Sequence, residues 1–271
     1  MHLYRSWTGK MELIDTHCHL TFDEFAGDIE AVLARSKAAS VRSWITVGTD
    51  SGQNRKAVEL AGKFDNMYAA VGIHPHYAAD VTAAMIDELK TIALNERVVA
   101  LGETGLDFHY NLPQPNDQRR LFARHLEIAA ELNLPVIVHS REAFDETIDV
   151  LERFGSAVKK VVFHCFSYSA KQAEIILDKG FHISFTGIVT FKNSHPICQA
   201  AEVVPLTKLM LESDCPYISP EPMRKQKINE PALLVHTAEC LAELKQIALA
   251  DFAEAVTATS RAFFAIPEQV I

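Results

Sequence analysis

The chain has 271 residues, of which 48% are hydrophobic and 23% are charged, and its formal net charge is −9. This composition supports a large core and disfavours a general nucleic-acid binder, and no apolar run nears the roughly 20 residues of a membrane span. A nucleic-acid enzyme is still compatible with the acidic charge, because bound divalent metals would invert the local field. The five cysteines are scattered without a CxxC pair, which predicts a reducing, cytoplasmic location and no disulfide framework.

Residues 1–10, MHLYRSWTGK, show no periodic pattern and are too few and too polar for a signal peptide. We expect a poorly ordered N-terminal extension there, because termini that are not tied down usually lack fixed structure. Residues 11–271 are predicted to form the folded domain.

Eight short apolar runs follow in chain order, and they are continuous rather than alternating, which is typical of parallel strands covered on both faces. They read ELID, SWITVG, MYAAVG, RVVALG, LPVIVH, KKVVFH, FHISF and KLMLES. Helical periodicity lies between them, most clearly over residues 116–132 and 141–154. Eight alternating strand–helix units predict a single-domain (β/α)8 TIM barrel. A doubly wound sheet is the rival fold, but no G-x-G-x-x-G follows the first strand.

Two stretches are predicted to be long loops, residues 104–116 and residues 213–231, because both are rich in proline. Loops of this length in a compact domain are usually functional. Two more helices, near residues 230–244 and 249–264, are expected to complete the domain.

Several of the predicted strands stop at a side chain that can bind a divalent metal. In barrel enzymes the chemistry lies at the C-terminal ends of the strands, so these positions are the candidate site. A single such residue is more often a polar cap, whereas six on five strands favour a metal site. The residues are His17 and His19 on strand 1, Glu103 on strand 4, His139 on strand 5, His164 on strand 6 and Asp214 on strand 8.

Six ligands are too many for one catalytic zinc, which usually takes three protein ligands and keeps one position open. They suit two divalent ions if one carboxylate bridges the pair. Glu103 is the natural bridge, because its strand lies between the first strand and the fifth and sixth. The ligand set suits zinc, manganese, iron or nickel, and magnesium alone is disfavoured with so many histidines.

Six motifs in this order resemble the TatD-type metal-dependent deoxyribonucleases of the amidohydrolase superfamily, over residues 12 to about 265. They are DTHCHL, VGIHPH, GETGLDF, VIVHSR, HCFS and ESDCPY. The resemblance implies a binuclear barrel hydrolase with the six ligands named above, acting on phosphodiester bonds in DNA, often from the 3′ end. Two departures bear on substrate preference: Tyr168 stands where the family usually has glycine, and RKQKINEP replaces the usual RGxxNEP.

No serine or cysteine presents itself as a nucleophile, so the predicted nucleophile is a hydroxide activated by the two metals. Asp214 is the candidate general base. Glu103 is assigned to the catalytic centre as the bridge. Glu212 and Asp15 lie two residues from proposed ligands, where they either orient imidazoles or cap strands.

Four further residues are candidate substrate contacts. The resemblance suggests that His74 and His76 face substrate, and the alternative is a turn shaped by Pro75. Arg141 can offer a bidentate fork to phosphate, and the alternative is a salt bridge at the barrel rim. Arg224, in a basic cluster with Lys225 and Lys227, is predicted to contact the DNA backbone, and the alternative is a solvated loop.

Three classes of function follow from this pattern. The first is a monomeric deoxyribonuclease with DNA as its substrate and no membrane partner. The second is a related barrel hydrolase that attacks carbonyl carbon, such as a deacylase or lactonase. The third, a non-catalytic metal-binding protein, is disfavoured because no ligand is missing from the set.

Overall fold

Eight parallel strands form one sheet in sequence order in the computed structural model, which describes residues 11–110 and 112–268. This confirms the predicted (β/α)8 TIM barrel. The strands are β1 (Leu13–Cys18), β2 (Val41–Val47), β3 (Met67–Val71), β4 (Val98–Asp107), β5 (Val136–Arg141), β6 (Val161–Phe163), β7 (His182–Phe185) and β8 (Leu209–Leu211).

Helices connect the strands, and local sequence signals set several of their ends. The Asp50 side chain accepts a hydrogen bond from the Gln53 N–H at the start of α2, and Pro115 occupies the first turn of α4. The helices are α1 (Ile29–Ala38), α2 (Ser51–Lys63), α3 (Ala83–Ile92), α4 (Pro115–Leu132), α5 (Phe144–Phe154), α6 (Ala170–Asp178), α7 (His195–Val203), α8 (Leu234–Leu244) and α9 (Leu249–Phe264).

The barrel closes between its first and last strands through backbone hydrogen bonds at the C-terminal rim. The Asp214 N–H donates to the His17 carbonyl at 2.9 Å, and the His19 N–H donates to the Cys215 carbonyl at 2.8 Å. Closure therefore brings the two histidines of β1 beside the segment that follows β8.

Two clusters of buried apolar side chains hold the barrel together. Successive residues of a strand point to opposite faces, so Trp44 packs in the larger cluster while Ile45 packs in the smaller one. Phe263 and Phe264, at the end of α9, also belong to the smaller cluster, which draws side chains from six strands.

The predicted loop at residues 104–116 is wrong over its first part. Residues 104–107 continue β4 and pair with β5, from Thr104 opposite Val138 to Asp107 opposite Arg141. The two glycines and the nearby prolines resembled turn signals, but Gly105 is needed in the strand for another reason. Its φ is +139°, and a Cβ there would lie 2.0 Å from the His139 carbonyl oxygen.

The second predicted loop is confirmed, since no strand or helix lies between β8 and a short 3-10 helix at Pro231–Leu233. The expectation for residues 1–10 concerns positions outside the described ranges. Within those ranges, no helix is both long and apolar enough to span a membrane.

Candidate metal centre

The six predicted ligands converge at one end of the barrel, beside an open cleft of about 660 Å³. This is the C-terminal end of the strands, where barrel enzymes place their chemistry. Among the described residues, three groups have ligand atoms close enough to share an ion. The groups are His17, His19 and Asp214; His17, Glu103 and His164; and His74, Glu103 and His139.

Four ligand atoms form the first cluster, and the distances between them are those of a coordination shell. The Nε2 atoms of His17 and His19 are 3.2 Å apart. From His17 Nε2, Glu103 Oε2 lies at 3.5 Å and Asp214 Oδ1 at 3.7 Å. From His19 Nε2, the same two oxygens lie at 3.8 and 3.5 Å.

These spacings suit a small divalent ion. Four ligands at about 2.1 Å around a tetrahedral ion lie about 3.4 Å from one another. Two imidazole Nε2 atoms and two carboxylate oxygens converge there. His17 Nδ1 is buried with no hydrogen-bond partner among the described residues. The donor set therefore fits a metal of the kind that binds nitrogen and oxygen.

A second cluster surrounds the other oxygen of the same glutamate. Glu103 Oε1 lies 2.8 Å from His139 Nδ1 and 2.7 Å from His164 Nε2. The two imidazole nitrogens are 3.2 Å apart. His74 Nε2 lies 3.5 Å from the same oxygen, which makes it the nearest further nitrogen donor on the cleft side. One carboxylate thus faces both clusters, one oxygen to each.

The buried charges of the site are strongly coupled. Burial alone would raise the pKa of Glu103, but His164, His74 and His139 around it hold that pKa well below its ordinary value. Burial likewise opposes ionisation of Asp214, and the hydrogen bond from His19 with the nearby imidazoles lowers its pKa. These pKa directions favour the ionised form of both carboxylates, which is the form that binds a metal ion.

Backbone and carboxylate groups lie behind two of the imidazoles of the clusters. His19 Nδ1 lies 3.1 Å from the Val47 carbonyl, so its proton sits there and its Nε2 is free to bind a metal. His164 Nδ1 lies 3.3 Å from Glu212 Oε1, which is ion-pair distance but without the geometry of a hydrogen bond, and this Oε1 accepts the Cys165 N–H. Asp15 instead accepts backbone N–H groups from Ser213 and His17, which is the strand-capping alternative.

Asp107 is the residue that sequence reasoning missed. Its Oδ2 lies 3.0 Å from His139 Nε2 and 3.1 Å from His76 Nε2, and its side chain is buried. Asp107 was missed because residues 104–116 were predicted to be a loop. Continuing the two-residue alternation of a strand from Glu103 through Gly105 to Asp107 would have placed both carboxylates on one face.

The cleft holds three of the four predicted substrate contacts. His74, His76 and Arg141 all line it. His74 Nδ1 also accepts the His76 N–H at 3.2 Å, so the turn made with Pro75 and the cleft-facing position occur together. Arg141 forms no ion pair with any described residue, and its guanidinium lies 4.9 Å from the centre of the Tyr110 ring.

Arg224 lies elsewhere. Its guanidinium sits 3.9 Å from the centre of the Phe191 ring, and neither it nor Lys225 nor Lys227 is among the described residues that line the cleft. Tyr168, at the position of the family glycine, packs against Phe144 and places its hydroxyl 3.0 Å from Ser140 Oγ. It thereby supports the wall of the cleft.

Comparison with known proteins agrees with this geometry. A sequence model described as TatD related DNase matches residues 14–265. The metal-dependent hydrolase YabD of Bacillus subtilis, itself uncharacterized, is 35% identical over 94% of this chain and 99% of its own. The 3′-5′ ssDNA/RNA exonuclease TatD of Salmonella typhimurium is 32% identical over 85% of this chain and 90% of its own. A solved structure, the TatD homologue YJJV of Escherichia coli K12, superposes with a TM-score of 0.90 at 30% identity, over 96% of this chain and all of that one. The chain therefore belongs to the TatD-related DNase family of metal-dependent hydrolases.

Proposed function

We propose that this protein is a deoxyribonuclease that hydrolyses phosphodiester bonds from the 3′ end of a DNA strand, using two divalent metal ions. The observation that carries the proposal is the placement of Glu103, whose two oxygens face separate clusters of histidine ligands beside an open cleft. One ion would be held by His17, His19, Asp214 and Glu103, and the other by Glu103, His139 and His164. Zinc, manganese, iron and nickel all suit this set.

When bound, two such ions supply Lewis acidity, which lowers the pKa of water and stabilises charge on the attacking and leaving oxygens of a phosphoryl group. The protein supplies the rest. Glu103 fixes the spacing of the two clusters. Asp214, kept ionised beside His19, accepts the proton of the attacking water and later releases it. Arg141, His74 and His76 line the cleft and hold the phosphate oxygens.

The rim of the cleft favours a nucleic-acid strand over a small ester. Among the described residues, three tyrosines are exposed, and all of them line the cleft: Tyr77, Tyr110 and Tyr217. Exposed aromatic rings at the edge of a phosphate-binding cleft give unpaired bases a surface on which to stack. A lactone or acyl amide needs no such rim. All six ligands come from one chain, so the site requires no second copy.

A substrate panel tests the proposal. Metal-loaded protein is incubated with 5′-labelled single-stranded DNA, duplex DNA and RNA, and separately with esters, lactones and acyl amides. We expect single-stranded DNA to shorten progressively from its 3′ end. Asp214→Asn, purified in parallel, serves as the control for contaminating nuclease and is expected to be inactive. Turnover of carbonyl substrates without cleavage of DNA would instead identify a deacylase or lactonase, and bound metal without any turnover would identify a binding protein.

A further inference from the structure

Asp107 lies between a histidine that is a proposed metal ligand, His139, and one that is a proposed substrate contact, His76. One of its oxygens, Oδ2, faces His139 Nε2 at 3.0 Å and His76 Nε2 at 3.1 Å. The opposite ring nitrogen of His139, Nδ1, faces Glu103 Oε1 at 2.8 Å. A single carboxylate oxygen therefore contacts a proposed metal ligand and a proposed substrate contact together.

The other carboxylate oxygen of Asp107, Oδ1, is held by hydrogen bonds from the protein backbone. It accepts the N–H groups of His109 at 3.0 Å and Tyr110 at 3.2 Å. Gln118 holds the main chain of Asp107, accepting its N–H at 2.8 Å and donating to its carbonyl at 2.9 Å. Because two backbone donors already occupy Oδ1, the carboxylate cannot rotate without losing them, and Oδ2 stays directed at the imidazoles.

We propose that Asp107 is a positioning residue that fixes the tautomer of His139. The inference rests on the metal site of the proposed function. Each ring nitrogen of His139 faces a carboxylate oxygen, Nδ1 that of Glu103 and Nε2 that of Asp107. With the second ion held by Nδ1 and Glu103, the proton of His139 would lie on Nε2, where the carboxylate of Asp107 accepts it. Nδ1 is then left without a proton and presents its lone pair to the second cluster. Carboxylates that receive the distal N–H of a ligating histidine commonly orient such rings and strengthen their metal binding.

The same oxygen extends this control to the substrate side. His76 Nε2 lies 3.1 Å from the same Oδ2, without the geometry of a hydrogen bond, and the His76 ring meets Tyr110 edge to face, with centroids 5.4 Å apart. Tyr110 in turn lies under Arg141 and donates its backbone N–H to Asp107 Oδ1. Asp107 thus ties the position of a metal ligand to the position of the cleft wall that would contact phosphate.

Asp107→Asn is the discriminating variant, because it keeps the shape of the side chain and replaces one acceptor oxygen with a donor NH₂ group. The backbone N–H groups of His109 and Tyr110 require an oxygen at the Oδ1 position, so the amide NH₂ must face the imidazoles. His139 Nε2 then becomes an acceptor, and its proton moves to Nδ1, the atom that faces the second cluster. A protonated Nδ1 cannot bind a metal.

The experiment measures metal binding in the absence of substrate, by titrating the metal-free full chain with Zn²⁺ against a chelating indicator. We expect Asp107→Asn to lose about 10- to 100-fold in affinity for one of the two ions, with the other unchanged. Glu142→Gln is the matched control, since it also converts a carboxylate beside an imidazole, that of exposed His109, into an amide. His76→Ala removes the other imidazole on Oδ2, and both controls should bind metal as the parent chain does.

Unchanged binding of both ions in Asp107→Asn would overturn the proposal. An equal loss of metal affinity in His76→Ala would also overturn it, because it would indicate that both residues only support packing. A second measurement does not depend on the variant folding: long-range ¹H–¹⁵N spectra of the Zn²⁺-loaded parent chain, assigned with His139→Asn. These should show His139 protonated on Nε2 and coordinated through Nδ1, and coordination through Nε2 would overturn the proposal. A parent chain that binds metal this way but cleaves no DNA would refute the proposed function alone.

Discussion

The ring of His17 stacks face to face on the ring of His164, with centroids 4.2 Å apart and planes inclined by 10°. His17 belongs to the first cluster of ligands and His164 to the second, and they come from β1 and the end of β6. The stack is a second contact between the two clusters, in addition to the shared carboxylate of Glu103. Burial lowers the pKa of His17, and the neighbouring His164 imidazole lowers it further.

The shared carboxylate gives the first prediction. Glu103→Gln should reduce bound metal from two ions per chain to one or fewer, because an amide offers only one good ligand oxygen. Cleavage of DNA should fall more than about 100-fold. Metal analysis after dialysis measures the first effect, and His19→Ala is the comparison, since it should weaken the first ion selectively. Full metal content in Glu103→Gln would contradict the bridge.

The exposed tyrosines give the second prediction. Tyr217→Ala should raise KM for single-stranded DNA roughly 5- to 150-fold, because stacking of a base on an aromatic ring contributes about 1–3 kcal/mol. Tyr217→Phe retains the ring and should resemble the parent chain. Hydrolysis of a small phosphodiester without bases should be unchanged in both. Equal losses on both substrates would mean that Tyr217 supports the metal site instead.

The basic cluster after β8 gives the third. Since Arg224, Lys225 and Lys227 lie outside the cleft, only a strand long enough to leave the cleft can reach them. Their joint replacement by alanine should raise KM for long oligonucleotides and flatten its dependence on salt. Dinucleotide cleavage should not change. A salt dependence identical to that of the parent chain would favour the solvated loop.

Tyr168 gives a prediction about stability. Tyr168→Phe removes the hydroxyl that lies 3.0 Å from Ser140 Oγ, and should lower the free energy of unfolding by about 1 kcal/mol. Tyr168→Ala also removes the ring packed against Phe144 and Phe166, and should cost about 3 kcal/mol. Urea unfolding of the metal-free chain measures both. Equal effects of the two variants would show that the ring contributes nothing.

Buried His125 should make the stability of the folded chain sensitive to acid. Burial lowers the pKa of His125 from 6.5 to about 4, and its neutral Nε2 accepts the Ile73 N–H at 3.0 Å. Below pH 6.5, His125 binds a proton in the unfolded chain but stays neutral in the folded chain. The contribution of His125 to the free energy of unfolding therefore falls as the pH drops toward 4. His125→Gln keeps an acceptor but does not titrate. The difference in unfolding free energy between the two chains should therefore shift by up to about 3 kcal/mol over that range.

The sequence predicts the fold because the barrel strands are covered on both faces and read as uninterrupted apolar runs. It also identifies the ligand-type residues, since each stands near the end of such a run. The extent of β4 could not be read in this way. Residues 104–107 contain polar and glycine positions that are strand only because β5 pairs with them, and that long-range contact has no local signature. Asp107 was missed for that reason, and Tyr110 and Tyr217 because exposure depends on the loops around them.

The closure of the barrel has a consequence for biosynthesis. Glu12, just before β1, is held by α9 near the other end of the described chain: Thr257 Oγ1 donates to its carbonyl at 2.8 Å, and Arg261 contacts its carboxylate at 2.6 Å. On the ribosome, α9 emerges after all eight strands, so β1 waits for this partner until the strands have been synthesised. Asp214 and the histidines of β1 meet only at that closure. The nascent chain therefore cannot complete its metal-binding site before the segment after β8 has been synthesised, and fragments that lack α9 should bind metal poorly.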